Sequence, residues 1–221
     1  MAQSKHGQVL IFDFDGLILD TESPEMRVWK KMFADAGVAF DEKAYLQIVG
    51  TFHGNAYHPD QVLAASTNHG HTAEQYVLQA TAAALELINQ QGALPGVQKA
   101  IHAAKKAGAY LAVGSSSTHE WVDTHLKRLG LWNEFDTVVC FEDVKDSKPA
   151  PDIFLKVLER LNVSAERAVV LEDSQNGVLA ANRAGIRVVA VPNDVTCVQD
   201  FSGADEILPS LEAFDINKYL Q

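Results

Sequence analysis

The sequence predicts an α/β protein with a three-layer core, in which a parallel five-stranded sheet lies between helices and an inserted α-helical domain interrupts the chain. Three observations support this class. Short apolar runs rich in β-branched residues alternate with helical patterns through the second half. These runs lack polar alternation, which is typical of parallel strands covered on both faces. Residues 20–93 contain helical patterns and no convincing strand.

The first predicted strand is the run Val-Leu-Ile-Phe at 9–12, and the helical stretch follows it directly. Ser23 and Pro24 open a predicted helix that Gly37 closes, and Asp41 opens the next one. A further helix is predicted over 72–91, which is rich in alanine and leucine.

We call residues 20–93 the helical segment and expect it to sit above the sheet. The chain would enter it at 20–22 and leave it through the Leu-Pro-Gly hinge at 94–96. Residues 1–19 and 94–221 would then form the core domain.

Four further apolar runs complete the predicted sheet, at 109–114, 137–140, 168–172 and 187–191. Helix signals separate them. Ser117 and Glu120 have the spacing of a capping box, and Pro151 suits a first helical position. Ser174 suits an N-cap, and Gly185 suits the left-handed residue after a helix.

Composition and charge exclude several classes of protein. Apolar residues make up 47% and charged residues 21%, as in an ordinary globular protein, and the net charge of -11 disfavours binding to nucleic acid or an anionic membrane. Cys140 and Cys197 lack zinc-type spacing, and we expect Cys140 to be a small buried side chain. The polar N-terminus precedes an apolar run too short for a signal peptide or a membrane span, so we expect a cytoplasmic protein. No long apolar stripe stands apart from the predicted core, which favours a monomer but leaves the oligomeric state open.

Two aspartates follow the first strand directly. Asp13 and Asp15 are one residue apart, so a strand's period of two sends both carboxylates to the same side, and Gly16 permits a sharp turn after them. Two close carboxylates repel each other, and a divalent cation would offset that repulsion. The sequence therefore predicts a metal site here.

Polar residues also follow three other predicted strands. Ser115 would face a ligand at the end of the second strand, and Lys148, after the third, would reach towards the aspartates to neutralise a phosphoryl oxygen. Glu172 and Asp173 end the fourth strand and repeat the acidic pattern. Because ligands bind at the carboxyl ends of parallel strands, we expect these groups to form one site.

These motifs resemble the haloacid dehalogenase superfamily. Its phosphatase branch carries Asp-x-Asp-Gly, a Ser or Thr after the second strand, a Lys, and a final acidic pair, in this order. The stretches at 20–22, 147–154 and 171–177 resemble the β-phosphoglucomutase-like subgroup. The resemblance covers almost the whole chain and implies a Rossmann-like core, with the helical segment as a C1-type cap.

The resemblance implies a magnesium-dependent phosphatase acting on a small phosphorylated metabolite, in particular a sugar phosphate. Asp13 would attack phosphorus to form an aspartyl-phosphate, and Asp15 would act as general acid and then general base. The Mg²⁺ ligands would be Asp13, the Asp15 carbonyl, Asp173 and Glu172. Ser115 and Lys148 would hold the charge on the transferring oxygens.

Single residues separate this reading from other reactions of the superfamily. The dehalogenase and phosphonatase branches lack the second aspartate, so Asp15 argues against both. The β-phosphoglucomutases usually have His where this chain has Glu25, and Arg three residues after a cap glycine, where Gly50 is followed by His53. Both departures favour a phosphatase, with a sugar phosphomutase as the alternative. A non-catalytic protein that binds a phosphorylated ligand is the second alternative, although it would not need Asp15 as a proton donor.

The helical segment would also supply substrate contacts. We expect Glu25 and the loop around Gly50 and His53 to contact the leaving group and to select which substrates bind. His69 and His71 are expected on a solvated helical face, and a second metal site there has no support. The three tryptophans are expected in the core rather than as a binding platform: Trp29, Trp121 and Trp132.

Overall fold

The structure is a computed structural model that describes residues 7–46, 49, 57–67 and 70–219. Within them a parallel sheet has the strand order β3-β2-β1-β4-β5-β6. Its strands are β1 (Val9–Phe12), β2 (Tyr110–Gly114), β3 (Thr137–Val139), β4 (Ala168–Glu172), β5 (Arg187–Ala190) and β6 (Glu206–Ile207). The predicted α/β class is therefore confirmed.

The helices of the described residues fall into two groups along the chain. The first group follows β1 and comprises α1 (Glu22–Asp35), α2 (Glu42–Leu46), α3 (Pro59–Ser66) and α4 (Ala73–Asn89). The second alternates with the strands and comprises α5 (Val97–Lys106), α6 (His119–Arg128), α7 (Asp152–Leu161) and α8 (Gln175–Arg183). No described helix has the length and apolarity that crossing a bilayer requires.

Strand β1 is the centre of the sheet and is buried on both faces. Leu10 and Phe12 point into the cluster formed with α5, α6 and the first group of helices. Val9 and Ile11 point the other way, into the cluster formed with α7 and α8. A continuous apolar strand is the expected pattern for a strand covered on both faces, which gives the core its three layers.

The helical segment begins and ends beside β1. The Leu94 backbone N–H donates to the Ile18 carbonyl at 2.9 Å, so the chain leaves the segment next to the point where it entered. Thr72 caps α4 in a capping box with Gln75, and Gly37 has φ 67 after α1. The domain boundaries at 20 and 93 stay a prediction.

Several local predictions need correction. The described sheet has six strands rather than five, because β6 has only two residues and leaves no periodic pattern to detect. Thr118, not Ser117, caps α6, and its side chain accepts from the Trp121 N–H. Pro151 precedes the first residue of α7 instead of occupying it. Ser174 as N-cap of α8 and Gly185 at φ 71 are confirmed.

Helix α8 approaches the end of β4 very closely at Gly177. A Cβ atom at this position would lie 1.8 Å from the carboxyl carbon of Glu172, which is fully buried. Only glycine leaves room for this carboxylate beneath the first turn of the helix.

Replacing Gly177 by alanine should destabilise the fold, although alanine is normally the better helix former. We expect the free energy of unfolding to fall by about 2–3 kcal/mol, because Glu172 cannot move without losing its buried partners. Urea unfolding measures the change. The exposed Leu179→Ala on the same helix is the control, and a fully stable Gly177→Ala would contradict the close approach.

Candidate active site

Polar groups from the ends of β1, β2 and β4 line one cavity of about 470 Å³, together with Lys148 from the loop after β3. This volume is within the range of small-molecule sites. Its floor consists of strand-end residues: Asp13, Asp15, Ser115, Ser116, Ser117, Lys148, Asp173 and Ser174. The structure thus brings together the acidic, hydroxyl and lysine residues that the sequence placed at separate strand ends.

Lys148 is the only basic residue among the described residues of this cavity wall, and it is buried. Its Nζ donates to Asp13 Oδ1 and, at 2.6 Å, to Glu172 Oε1. Burial alone would lower the pKa of Lys148, but the charges of Asp13 and Glu172 outweigh it and hold that pKa above its usual range. The ammonium therefore stays charged and lies between two carboxylates.

Glu172 uses its second oxygen to fix the turn that follows β4. Oε2 accepts from the Asp173 and Ser174 backbone N–H groups, each at 3.1 Å, and from Ser174 Oγ at 2.9 Å. The Ser174 hydroxyl in turn accepts from the Gly177 N–H and caps α8. Glu172 therefore orients Lys148 with one oxygen and the acidic turn with the other.

Asp173 is held by Asn193, which the sequence analysis missed. Asn193 Nδ2 lies 2.8 Å from Asp173 Oδ2 and 3.3 Å from both Glu22 Oε2 and the Gly16 carbonyl. Gly16 has φ 75, and a Cβ atom there would lie 2.1 Å from Asp173 Oδ2. Only glycine lets the loop after β1 approach this carboxylate so closely.

The side chain of Asp15 is fixed by two donors from the loop after β2 and from α6. Ser117 Oγ donates to Oδ2 at 2.6 Å, and the Trp121 indole N–H donates to Oδ1 at 2.9 Å. Trp121 packs against the core as predicted, and its indole also lines the cavity. Trp29 is buried as expected, and Trp132 packs at the edge of the core. A tryptophan gives no sequence signal for such a bond, because its donor lies at the far end of a large apolar ring.

Ser115 is buried at the cavity floor. Its Oγ accepts from the Ser117 N–H at 3.0 Å, which leaves its own hydroxyl hydrogen available for a ligand. The prediction that Ser115 faces the site is consistent with this position.

Cys140 is buried, as predicted for a small apolar side chain.

Three buried carboxylates have the chemistry of a site for a hard cation. Asp13, Glu172 and Asp173 each offer an oxygen, and these oxygens lie within 4.8 Å of one another. Burial raises the pKa of Asp13 to about 8 and the pKa of Asp173 well above its ordinary value. Lys148 alone does not compensate the negative charge of this cluster, and a divalent cation bound by carboxylate oxygens fits it. The described residues can therefore hold a metal.

Helices α1 and α4 form the opposite wall of the cavity. Glu22 and Glu25 come from α1, while α4 contributes Thr81, Ala84, Leu85 and Ile88. Glu25 Oε1 accepts from Trp29 Nε1 at 3.4 Å. The predicted substrate contacts Gly50 and His53 lie outside the described residues, as does His69. His71 is exposed, as predicted, but it precedes α4; it packs edge-on against Tyr76 and does not line the cavity.

His119 links the loop after β2 to the loop after β3. Its Nε2 lies 2.8 Å from Asp143 Oδ2 and its Nδ1 lies 3.3 Å from Asp123 Oδ1, while Arg160 pairs with the other oxygen of Asp143. Burial lowers the pKa of His119, but the hydrogen bonds and charges of Asp143 and Asp123 outweigh it and raise that pKa above its ordinary value. The start of α6, close to Ser117, is anchored through this cluster.

Comparisons with known proteins agree with this arrangement. The family described as haloacid dehalogenase-like hydrolase matches residues 10–191. YhcW of Bacillus subtilis is 34% identical over 209 residues, which are 95% of this chain and 94% of YhcW. A phosphorylated carbohydrates phosphatase of Thermotoga maritima is 32% identical over 186 residues, 81% of this chain and 82% of the relative. A crystal structure of a CbbY variant from Rhodobacter sphaeroides with xylulose-(1,5)bisphosphate superposes with a TM-score of 0.73 at 28% identity, over 97% of this chain and 99% of CbbY.

Replacing Lys148 by methionine should strongly destabilise the metal-free protein. The change leaves Asp13 and Glu172 buried without their cation, so we expect a loss of about 3 kcal/mol in the free energy of unfolding. Urea unfolding in EDTA at pH 7.5 measures it. Lys156→Met, which breaks the exposed pair with Glu159, should cost less than about 0.5 kcal/mol. Equal losses in both variants would contradict the stabilising role of the buried ion pairs that Lys148 forms with Asp13 and Glu172.

The His119 cluster should stabilise the protein mainly at low pH. A histidine whose folded pKa is raised contributes stability that is fully present below its unfolded pKa of about 6.5 and is lost as pH rises through the folded value. Because His119 is partly exposed, we expect His119→Gln to lower the melting temperature by roughly 1–3 °C at pH 6 and by less at pH 9. The exposed His102→Gln should show no such difference. A loss that grows with pH would refute the assignment.

Proposed function

This chain belongs to the haloacid dehalogenase-like hydrolase family, and we propose that it is a magnesium-dependent phosphatase that hydrolyses the phosphate ester of a small metabolite, in particular a sugar phosphate. The observation that carries the proposal is the convergence of Asp13, Asp15, Ser115 and Lys148 on one cavity beside a buried acidic cluster. The polar groups of the cavity lie at the carboxyl edge of the parallel sheet, which is where ligands bind in folds of this class.

Asp13 is the proposed nucleophile. One of its oxygens is paired with Lys148, and the carboxylate borders the cavity, so the other oxygen can attack phosphorus. The new oxygen–phosphorus bond replaces the ester bond and leaves an aspartyl-phosphate at Asp13. Lys148 stays beside the reacting group and neutralises part of the negative charge as the bond forms.

Asp15 is the proposed general acid and base. It protonates the departing alkoxide, and it then takes a proton from the water that attacks the aspartyl-phosphate and releases inorganic phosphate. Ser117 and Trp121 keep its carboxylate turned towards the cavity before the substrate binds. Both donors are positioning residues, since neither is asked to touch the phosphoryl group.

The carboxylates of Asp13 and Asp173, with the Asp15 carbonyl, would hold Mg²⁺. The bound ion would neutralise phosphoryl oxygens and so offset the repulsion between the phosphate and Asp13. Glu172 belongs to the same cluster, but its oxygens already orient Lys148 and the turn after β4. We therefore propose that Glu172 mainly positions Lys148 and the turn after β4. The proposed Mg²⁺ ligands are then Asp13, Asp173 and the Asp15 carbonyl, without the Glu172 that the sequence also suggested.

The helical segment is the proposed cap, and its helices α1 and α4 would enclose the leaving group. A closed cavity excludes bulk water and admits only leaving groups that fit between the two walls. The Thermotoga relative is named for phosphorylated carbohydrates and the CbbY structure holds a sugar bisphosphate, which supports a phosphorylated carbohydrate as the substrate class.

Phosphate release from a panel of sugar phosphates and nucleotides, with Mg²⁺ and with EDTA, tests this function. We expect release from a few members, only with the metal. Asp13→Asn should lower turnover roughly a thousandfold or more, while ligand-induced thermal stabilisation persists, because the variant loses the nucleophile and keeps the cavity.

Asp35→Asn is the matched control, since Asp35 lies on the exposed side of α1 and should not affect turnover. A coupled assay for conversion of β-glucose 1-phosphate to glucose 6-phosphate runs alongside. Efficient conversion with little phosphate release would show that the protein is a phosphomutase and would contradict the proposed phosphatase function. Thermal stabilisation by ligands without any turnover of the wild type would instead indicate a binding protein.

A further inference from the structure

Only one side of the cavity carries a positive charge among the described residues. The floor holds Lys148 and the acidic cluster, while the wall facing it, from α1 and α4, carries two carboxylates and no cation among its described residues. Those carboxylates are Glu22 and Glu25. A leaving group that fills the space above the phosphoryl site must contact this wall.

Lys148 is the only lysine or arginine among the described residues that line the cavity. Residues 44–98 contain neither lysine nor arginine in the sequence. Their only basic side chains are histidines. In the preceding helices, Lys30 pairs with Glu42 and Lys31 with Asp35. Neither of these lysines borders the cavity, and neither do Arg27 of α1 and Lys43 of α2. Lys148 is occupied by Asp13 and Glu172.

Glu25 is the carboxylate of this wall that stands apart from the acidic cluster. Asn193 ties Glu22 to Asp173, whereas Glu25 bonds to Trp29 on its own helix. Glu25 is accessible through the cavity, yet reduced hydration raises its pKa, with the charge of Asp15 as a smaller cause. A second anion beside Glu25 would have to be repelled or would force Glu25 to take up a proton, and both weaken binding.

We propose that the enzyme selects phosphate monoesters whose leaving group carries no second negative charge, and that Glu25 enforces this selection. The inference rests on the phosphatase function proposed above and specifies its substrate class. Neutral polyols and amino sugars fit the wall, because a carboxylate accepts hydrogen bonds from hydroxyl and ammonium groups. Sugar bisphosphates and phosphorylated sugar acids are rejected. This chain therefore differs in its expected substrate from the CbbY relative, whose structure contains a bisphosphate.

The test compares substrates that differ only in a second charged group, at pH 8 with Mg²⁺. One series is fructose 1-phosphate, fructose 6-phosphate and fructose 1,6-bisphosphate. The other is glucose 6-phosphate, glucosamine 6-phosphate and 6-phosphogluconate. We expect kcat/KM for the better monophosphate of each series to exceed that of its bisphosphate or carboxylated counterpart at least about tenfold. The ratio should shrink in 500 mM NaCl, because salt screens the repulsion.

Glu25→Gln keeps the shape of the side chain and removes its charge. It should reduce the discrimination at least about fivefold, mainly through a lower KM for the substrates whose leaving group carries a second anionic group. Glu86→Gln on α4 is the matched control, because Glu86 is exposed and lies outside the cavity wall, and it should leave the ratio unchanged. Melting temperatures of both variants show whether each is folded.

The outcomes separate this inference from the proposed function. Phosphate release with equal kcat/KM for substrates with and without a second anionic group would overturn the selection and leave the phosphatase intact. Discrimination that Glu25→Gln does not change would overturn the role of Glu25. No phosphate release from any panel member would overturn the proposed function, and the selection with it.

Discussion

The ammonium of Lys148, buried between Asp13 and Glu172, is the interaction on which the rest of the site depends. Asp13 directly follows β1 and Glu172 ends β4, so the ion pairs join these two neighbouring strands at their carboxyl ends. A buried carboxylate without such a partner costs several kcal/mol. The pair also determines which side chains can surround it. Gly177 must lack a side chain because Glu172 occupies its space, and Ser174 caps α8 while bonded to the same carboxylate.

The ion pairs of Lys148 with Asp13 and Glu172 do not neutralise the negative charge of the site completely. Asp13, Asp173 and Glu22 all have raised pKa values, with burial as the main cause, and the mutual repulsion of the carboxylates adds to it. Without a metal the folded protein therefore retains protons on these groups that the unfolded chain would release, and this costs stability as pH rises from about 4 towards 8. A bound divalent cation would replace those protons. Burial of excess negative charge thus gives the metal-free protein an affinity for the ion proposed to serve in catalysis.

The sequence predicted the parts of the molecule that depend on local pattern. Strands β1 to β5 and the acidic pair at Asp13 and Asp15 follow from apolar runs and the residues that end them. Lys148 was expected to reach the aspartates because strand ends share one edge of the sheet. The hydrogen bonds of Asn193 to Asp173 and of Trp121 to Asp15 were missed. Both are tertiary contacts, and no motif or residue spacing in the sequence predicts them. Ser117 was predicted to cap α6, but its hydroxyl donates to Asp15, and Thr118 caps the helix instead.

An acidic protein that binds an anionic substrate has to localise its positive charge. A net charge of -11 repels phosphate esters at a distance, whereas Lys148 and a metal at the acidic cluster would attract one phosphoryl group at close range. A basic cavity would bind the phosphoryl group with less discrimination, because it would attract every anionic substituent of the substrate. Confining the cations to the floor and leaving Glu25 on the opposite wall makes affinity depend on where a substrate carries its charge. Specificity in this arrangement comes as much from the wall that repels a second anion as from the floor that binds the first.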